Sequence, residues 1–199
     1  MVRRRCRSSP GFTILELLFA IAITGTLAAI AVPQSLRALD DFRTRSAAQY
    51  VARKLGTARF QAIRRSAAHG LRFEQEDGDY SVVQVSDGNR NGIRTMELQS
   101  GIDRTLSEPE ALASHFAGVQ FGILDGVPDA DGNPAGTSDG VRFGTTKLVT
   151  MNADGTASSG TLYLRGAGRS QYAVRVLGST GRVRLLKFDA VRRRWVDLT

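Results

Sequence analysis

Apolar and polar positions follow three distinct rhythms along the chain. From Phe12 to Val32 nearly every residue is apolar, broken only by Thr13, Glu16, Thr24, Gly25 and Thr26. That length suits a helix crossing the hydrocarbon core of a bilayer. Pro33 follows and should kink or loosen the helix, because it removes a backbone donor. From Gln34 to His69 the rhythm turns helical and amphipathic. Ala48, Val51, Leu55, Ala58 and Ala62 recur at three- and four-residue spacing on one face, while Arg43, Arg45, Arg53, Lys54, Arg59 and Arg64 lie mostly elsewhere. Gly70 reads as the stop signal of this helix.

Beyond Gly70 the period shortens to two. "LRFEQEDGDYSVVQV" predicts a hairpin about Asp77-Gly78. "GVQFGIL" alternates Val119, Phe121 and Ile123, and "TLYLRGAGRSQYAVRVLGSTGRVRLLKF" predicts three strands joined by glycine-rich turns. Strands do not alternate with helices, so a doubly wound parallel sheet is excluded. The class is α+β, a long N-terminal helix laid on antiparallel sheet.

Charge sharpens the reading of the N-terminus. The 199-residue chain carries a formal +8, and four of those charges (Arg3, Arg4, Arg5, Arg7) precede the apolar run. They hold that end in the cytoplasm and send the C-terminus outward. Without residues 1–11, which contain no acid, the chain would be only mildly basic. The single cysteine, Cys6, also lies in this leader, so a domain exported without it has no disulfide.

Glu16 is the anomaly. A carboxylate within an apolar span costs about 2.5–3.5 kcal/mol on insertion scales, and a plain single-pass anchor gives it no purpose. A secretory signal peptide cut after Ala29-Ile30-Ala31 has the right parts, but it discards the acid unused. "GFTILEL" after a short basic leader resembles the recognition site of type IV prepilins and type II secretion pseudopilins. The resemblance implies cleavage after Gly11 by a prepilin peptidase and N-methylation of Phe12. Glu16 then has an assembly role, and Pro33 is the proline that follows the apolar stretch. Glu16 would pair with the new Phe12 amine of a neighbouring subunit or of its own chain, since a paired charge is far less costly than a lone one.

The resemblance extends to the GspH/FimT group of the pilin-like fold, through "GTLYLRG…YAVRVLGSTGRVR" and the long insertions between early strands. It implies residues 1–11 as a cleaved leader, 12–33 as a transmembrane and filament-core helix, 34–69 as an amphipathic helix and 70–199 as a β-rich periplasmic head. It also implies other pilin or pseudopilin subunits and the bacterial inner membrane as partners, in a type II secretion pseudopilus or a type IV pilus.

Three further features bear on chemistry. Asp87, Asn89 and Asn91 alternate before Gly92 like the front half of a calcium loop, though Glu97 falls one place early for the closing ligand. Asp-Gly and Asn-Gly also form plain turns. Asp125, Asp129, Asp131 and Asp139 lie in a Pro/Gly-rich run that reads as a mobile, solvated loop, with a second calcium site as the alternative. Pairing outward from Gly178-Ser179-Thr180-Gly181 sets Arg175 opposite Arg184 and places Arg175, Arg182 and Arg184 on one outer face. "GRVR" resembles the Gly-Arg-x-Arg motif of FimT-type minor pilins linked to DNA uptake, which makes DNA a candidate partner. Outward charge on an edge strand that deters aggregation is the alternative. His69 and His115 lack companions at zinc spacing. Neither a nucleophile elbow nor a phosphate loop appears, so the sequence points away from an enzyme. A membrane-anchored periplasmic binding protein or enzyme is the rival class.

Overall fold

In the computed structural model, residues 11–76 and 78–198 are described; the leader residues Arg3, Arg4, Arg5, Cys6 and Arg7, and the turn residue Asp77, lie outside them. The chain divides into two units, 1–38 and Leu39–Thr199. Helix α1, Ile14–Arg65, belongs to both.

In the first unit every described residue is exposed, and the large side chains Ile14, Leu15, Leu18, Phe19, Ile23, Leu27 and Ile30 are all open. One stretch of α1 is long and apolar enough to cross a membrane. Its hydroxyls are satisfied within the helix. Thr24 Oγ1 donates to Ala20 O at 2.6 Å, Thr26 Oγ1 to Ala22 O at 2.8 Å and Ser35 Oγ to Ala31 O at 2.9 Å. Such self-satisfaction is what hydrocarbon demands of a spanning segment. The helix runs through Pro33 without ending there. A proline removes one bond of the ladder, and the turns on either side hold the rest.

The second unit is built on the amphipathic half of α1. Thr44, Ala47, Ala48, Val51, Leu55, Ala58 and Ala62 form its buried stripe, as their spacing predicts. The helix ends at Arg65, four residues before the expected His69. Its reversal is made by Ser66 at φ 51°, not by Gly70. Gly70 lies instead inside β1, where a Cβ would stand 2.3 Å from Val149 O. Glycine is required there by a close strand approach.

Strands β1 (His69–Glu76) and β2 (Asp79–Ser86) form the predicted hairpin, with Glu76 opposite Asp79. Helix α2 (Thr95–Ser100), β3 (Arg104–Thr105), β4 (Glu110–Ala111), α3 (Leu112–His115), β5 (Gln120–Phe121), β6 (Val141–Arg142) and β7 (Leu148–Met151) follow. Then come β8 (Gly160–Arg165), β9 (Gln171–Leu177), β10 (Arg182–Asp189) and β11 (Arg194–Asp197). They make two antiparallel sheets, where one was expected. The first has order β3-β2-β1-β7, with β4 also on β2. The second has order β11-β10-β9-β8-β5, with β6 also on β8. Phe73, Tyr80, Val149 and Met151 of the first sheet meet Leu162, Leu164, Tyr172, Val174 and Leu185 of the second around the helix stripe. Leu55, fully buried, contributes about 2–3 kcal/mol by leaving water.

A second core lies on the other face of the second sheet. Ile123 and Val127 cover Tyr163, Ala173 and Leu186, with Phe188 and Trp195 closing the edge. The run from Asp125 to Asp139 is exposed over much of its length but held at several points. Pro128 bridges Pro134, the Trp195 indole donates to Pro128 O at 3.0 Å, and Ala130 N–H donates to the Tyr163 hydroxyl at 2.9 Å.

Candidate functional site

The N-terminal residues are placed by a helix start. Gly11, Phe12 and Thr13 are exposed and precede the helix, so the Gly11–Phe12 peptide lies in accessible, non-helical backbone of the kind a protease needs. Thr13 Oγ1 accepts the Glu16 N–H at 3.2 Å, and Thr13 O accepts the Leu17 N–H at 3.1 Å. Thr13 is thus the N-cap and Glu16 the third helical residue, the Thr-x-x-Glu spacing of a capping box. A carboxylate in the first turn is favoured by the partial positive charge of the helix N-terminus. Sequence reasoning passed over this cap, although its spacing was visible. Glu16 is the one formally charged side chain between Phe12 and Val32, on a surface otherwise uncharged and mostly apolar.

The predicted arginine hairpin has the predicted register. Leu177 pairs with Arg182, Val176 with Val183 and Arg175 with Arg184. Its setting differs. β9 is interior, whereas β11 pairs only with Leu186–Asp189 of β10, so the stretch carrying Arg182 and Arg184 has no strand on that side. Two of the three arginines have carboxylate partners within the chain: Arg175 Nη2 lies 2.8 Å from Asp131 Oδ1, and Arg184 Nε lies 3.2 Å from Asp197 Oδ2. The exposed Arg182 completes the row. Repulsion between the facing Arg175 and Arg184 is relieved internally.

Residues 6–32 match the family described as Prokaryotic N-terminal methylation motif. The N-terminal segment is prepilin-type. The structure of the minor pseudopilin EpsH from the Type 2 Secretion System of Vibrio cholerae is similar to the chain at 16% identity and a TM-score of 0.45, over 73% of this chain and 97% of that one. No curated protein matches the chain.

The other candidates in the chain have structural partners. Asp87 Oδ1 accepts the N–H groups of Asn89 and Arg90, at 3.0 and 2.6 Å, and Oδ2 accepts that of Gly92 at 2.7 Å. The amides of Asn89 and Asn91 donate to the Glu97 carboxylate at 3.0 and 2.9 Å. In this structure the carboxylates of the suspected calcium loop, Asp87 and Glu97, are taken up by these N–H donors. His69 Nδ1 lies 3.1 Å from Ala67 O. His115 Nε2 lies 2.9 Å from Glu110 Oε1.

Two polar clamps escaped the sequence reading, because their partners lie more than fifty residues apart. Glu110 accepts from the Tyr50 hydroxyl and the Lys54 ammonium. Burial alone would raise its carboxyl, but those two hydrogen bonds outweigh burial and hold it below the usual range. Near the entry of the chain into the second unit, Asp41 accepts from the Tyr172 hydroxyl at 3.0 Å and from Lys187 Nζ at 2.9 Å. Beside it Asp40 Oδ2 accepts the Ser170 N–H at 3.2 Å. Gly166 leaves room for that carboxylate, since a Cβ there would sit 2.4 Å from Asp40 Oδ1.

Proposed function

We propose that the chain is a minor pilin-like subunit of the GspH/FimT group, cut after Gly11, methylated on Phe12 and held in the bacterial inner membrane by α1 with its head in the periplasm. Its work is structural. It assembles with other pilin or pseudopilin subunits into a filament rooted in that membrane, for protein secretion or pilus biogenesis. The observation that carries the reading is Glu16, a lone carboxylate in the capped first turn of a helix that has no other charged side chain before Val32. Cleavage would put a cationic amine on Phe12, about one turn away, and an ion pair across subunits would then fix register. The in-chain partners of Arg175 and Arg184 weigh against DNA as the main ligand of the hairpin, because any phosphate must first displace Asp131 and Asp197.

The test is Glu16→Ala in cells carrying the assembly machinery. Membrane insertion should persist, since the segment becomes more apolar. Incorporation into sheared filament fractions should fall at least tenfold, equivalent to about 1.4 kcal/mol at 25 °C. Normal incorporation of Glu16→Ala would refute the assembly role.

A further inference from the structure

Covalent connectivity fixes which end of the second unit is tethered beside the bilayer, provided residues 12–32 span it as proposed above. The chain enters this unit at Leu39. Six residues separate it from Val32, so at most about 25 Å of extended chain, seven residue steps, lies between them.

Contacts within the second unit give the direction of its strands. Arg59 Nη2 donates to Thr180 O at 3.0 Å, just before β10 begins, and Lys187 Nζ lies 2.8 Å from Asp41 Oδ1 near its end. Strand β10 thus runs antiparallel to the helix, toward the entry point. At the other side of the same end Ser170 N–H meets Asp40. The β8–β9 turn (166–170) and the β10–β11 turn (190–193) therefore both project from the tethered end. The latter passes the Lys187–Asp41 contact by three or four residues, about 10 Å. The β9–β10 turn (178–181) lies at the opposite end.

These two turns are cationic and tipped with an apolar side chain. Arg169 is exposed, as are Arg192, Arg193 and Arg194. Val191 between them is 93% exposed, the most exposed of the large hydrophobic residues described. The tip is held in place. Asp189 Oδ1 accepts the N–H groups of Val191 and Arg192 at 2.9 and 3.0 Å, Arg193 Nη2 donates to Gly126 O at 3.4 Å, and Trp195 is packed between Tyr163 and Phe188. Arg192 also lies 3.5 Å from Asp189, and Asp125 is an exposed acid in the neighbouring loop.

Folding gains nothing from a valine held in water beside three arginines. We infer that this end of the unit docks on anionic phospholipid headgroups of the membrane that holds the chain's own helix, with Arg169, Arg192 and Arg193 meeting phosphates and Val191 entering the interfacial layer. Val191 decides between a lipid surface and a nucleic acid. A phosphate backbone offers an apolar side chain nothing, whereas the headgroup–acyl boundary takes up such groups. The tether also makes docking intramolecular, so a modest affinity suffices.

The test uses the full chain with Cys6→Ser and a single cysteine at Val191 or at Ser179, on the opposite turn, each carrying an environment-sensitive fluorophore. The labelled chains are reconstituted in phosphatidylcholine vesicles or in an equimolar mixture with phosphatidylglycerol. In the anionic vesicles alone, the Val191 probe should become open to a lipid-chain quencher and protected from iodide, while the Ser179 probe stays open to iodide in both. Arg192→Gln with Arg193→Gln should lower the docked-to-free ratio roughly thirtyfold, taking about 1 kcal/mol for each arginine near an anionic surface. Added salt should act in the same direction. A Val191 probe that stays in water on anionic vesicles overturns the inference, and so do two probes that move together. Protection by duplex DNA on phosphatidylcholine vesicles, without protection by phosphatidylglycerol, would make the turn a nucleic-acid surface instead. Alkaline carbonate extraction separates the premises. A chain that washes off removes the anchor and the docking together, whereas one that resists with Val191 in water removes only the docking.

Discussion

One helix meets two solvents. Between Ile14 and Ala38 its large aliphatic and aromatic side chains point in every direction and none is buried, while between Thr44 and Ala62 a stripe of mostly small residues is sealed against two sheets. A helix apolar on all sides suits lipid or a bundle of like helices, and one with a single apolar stripe suits a water-soluble core. The change falls at Asp40 and Asp41, where paired carboxylates first take partners from the second sheet. Helical propensity carries through both parts. What differs is the partner each part requires, and only the second part finds it within its own chain.

The comparison breaks most visibly in the core. Leu55→Ala should cost about 3 kcal/mol, the usual range for a fully buried leucine, while Leu27→Ala should stay within about 0.5 kcal/mol. Thermal melts of the detergent-solubilised full chain measure both. Equal losses would mean that the exposed half also carries head stability.

Asp41→Asn sharpens the boundary. It weakens a charge-assisted bond to Lys187 and the acceptor of the Tyr172 hydroxyl, at a site more than a third exposed, so the loss should be about 1 kcal/mol after solvent screening. Denaturant titration reads it. The helix before Leu39 should keep its circular dichroism in detergent.

Acid should act on the second unit first. Burial raises the Asp139 carboxyl, but hydrogen bonds from Lys147, the Val141 N–H and Tyr80 lower it further, and Glu110 is lowered in the same way. A carboxyl depressed in the folded state contributes stability that is present above its unfolded value. That contribution fades as pH falls through the folded one. With ordinary values of 4.5 and 3.8, melting temperature should hold above those values and drop below them, and Glu110→Gln should flatten the drop. Tyr80 gives the opposite limb. Burial and the Asp139 carboxylate push its phenol up to about 12, so its contribution is complete below its ordinary 10 and lost as pH rises through 12. Ultraviolet titration should show all four tyrosines ionising late, since burial raises Tyr50, Tyr163 and Tyr172 as well.

The smallest effect expected is none. Millimolar calcium should leave the melting curve unchanged, because Asp87 already accepts three N–H groups. A rise would mean that the loop reopens to take the cation, since ligands stabilise the state they bind.

Local periodicity made much of this legible. Ala48, Val51, Leu55, Ala58 and Ala62 are buried as their spacing requires, and the turn at Gly178–Gly181 fixed the pairing of Arg175 with Arg184. The Thr13–Glu16 cap was equally local. What escaped depended on distant partners. Nothing near Asp129 or Asp131 announces that Trp195 and Tyr163 will anchor their loop, or that Asp131 will neutralise Arg175. Gly70 looked like a helix stop because its neighbour Val149 lies nearly eighty residues away. The division into two sheets follows from which strands reach the helix, and no short window records that.

The central claim concerns the bond between Gly11 and Phe12, and the intact mass and N-terminal sequence of the membrane-extracted protein test it most directly. The account predicts a chain beginning at N-methylated Phe12, with residues 1–11 absent. A chain beginning at Val32 would show that the apolar segment is a discarded signal peptide, and would contradict the account.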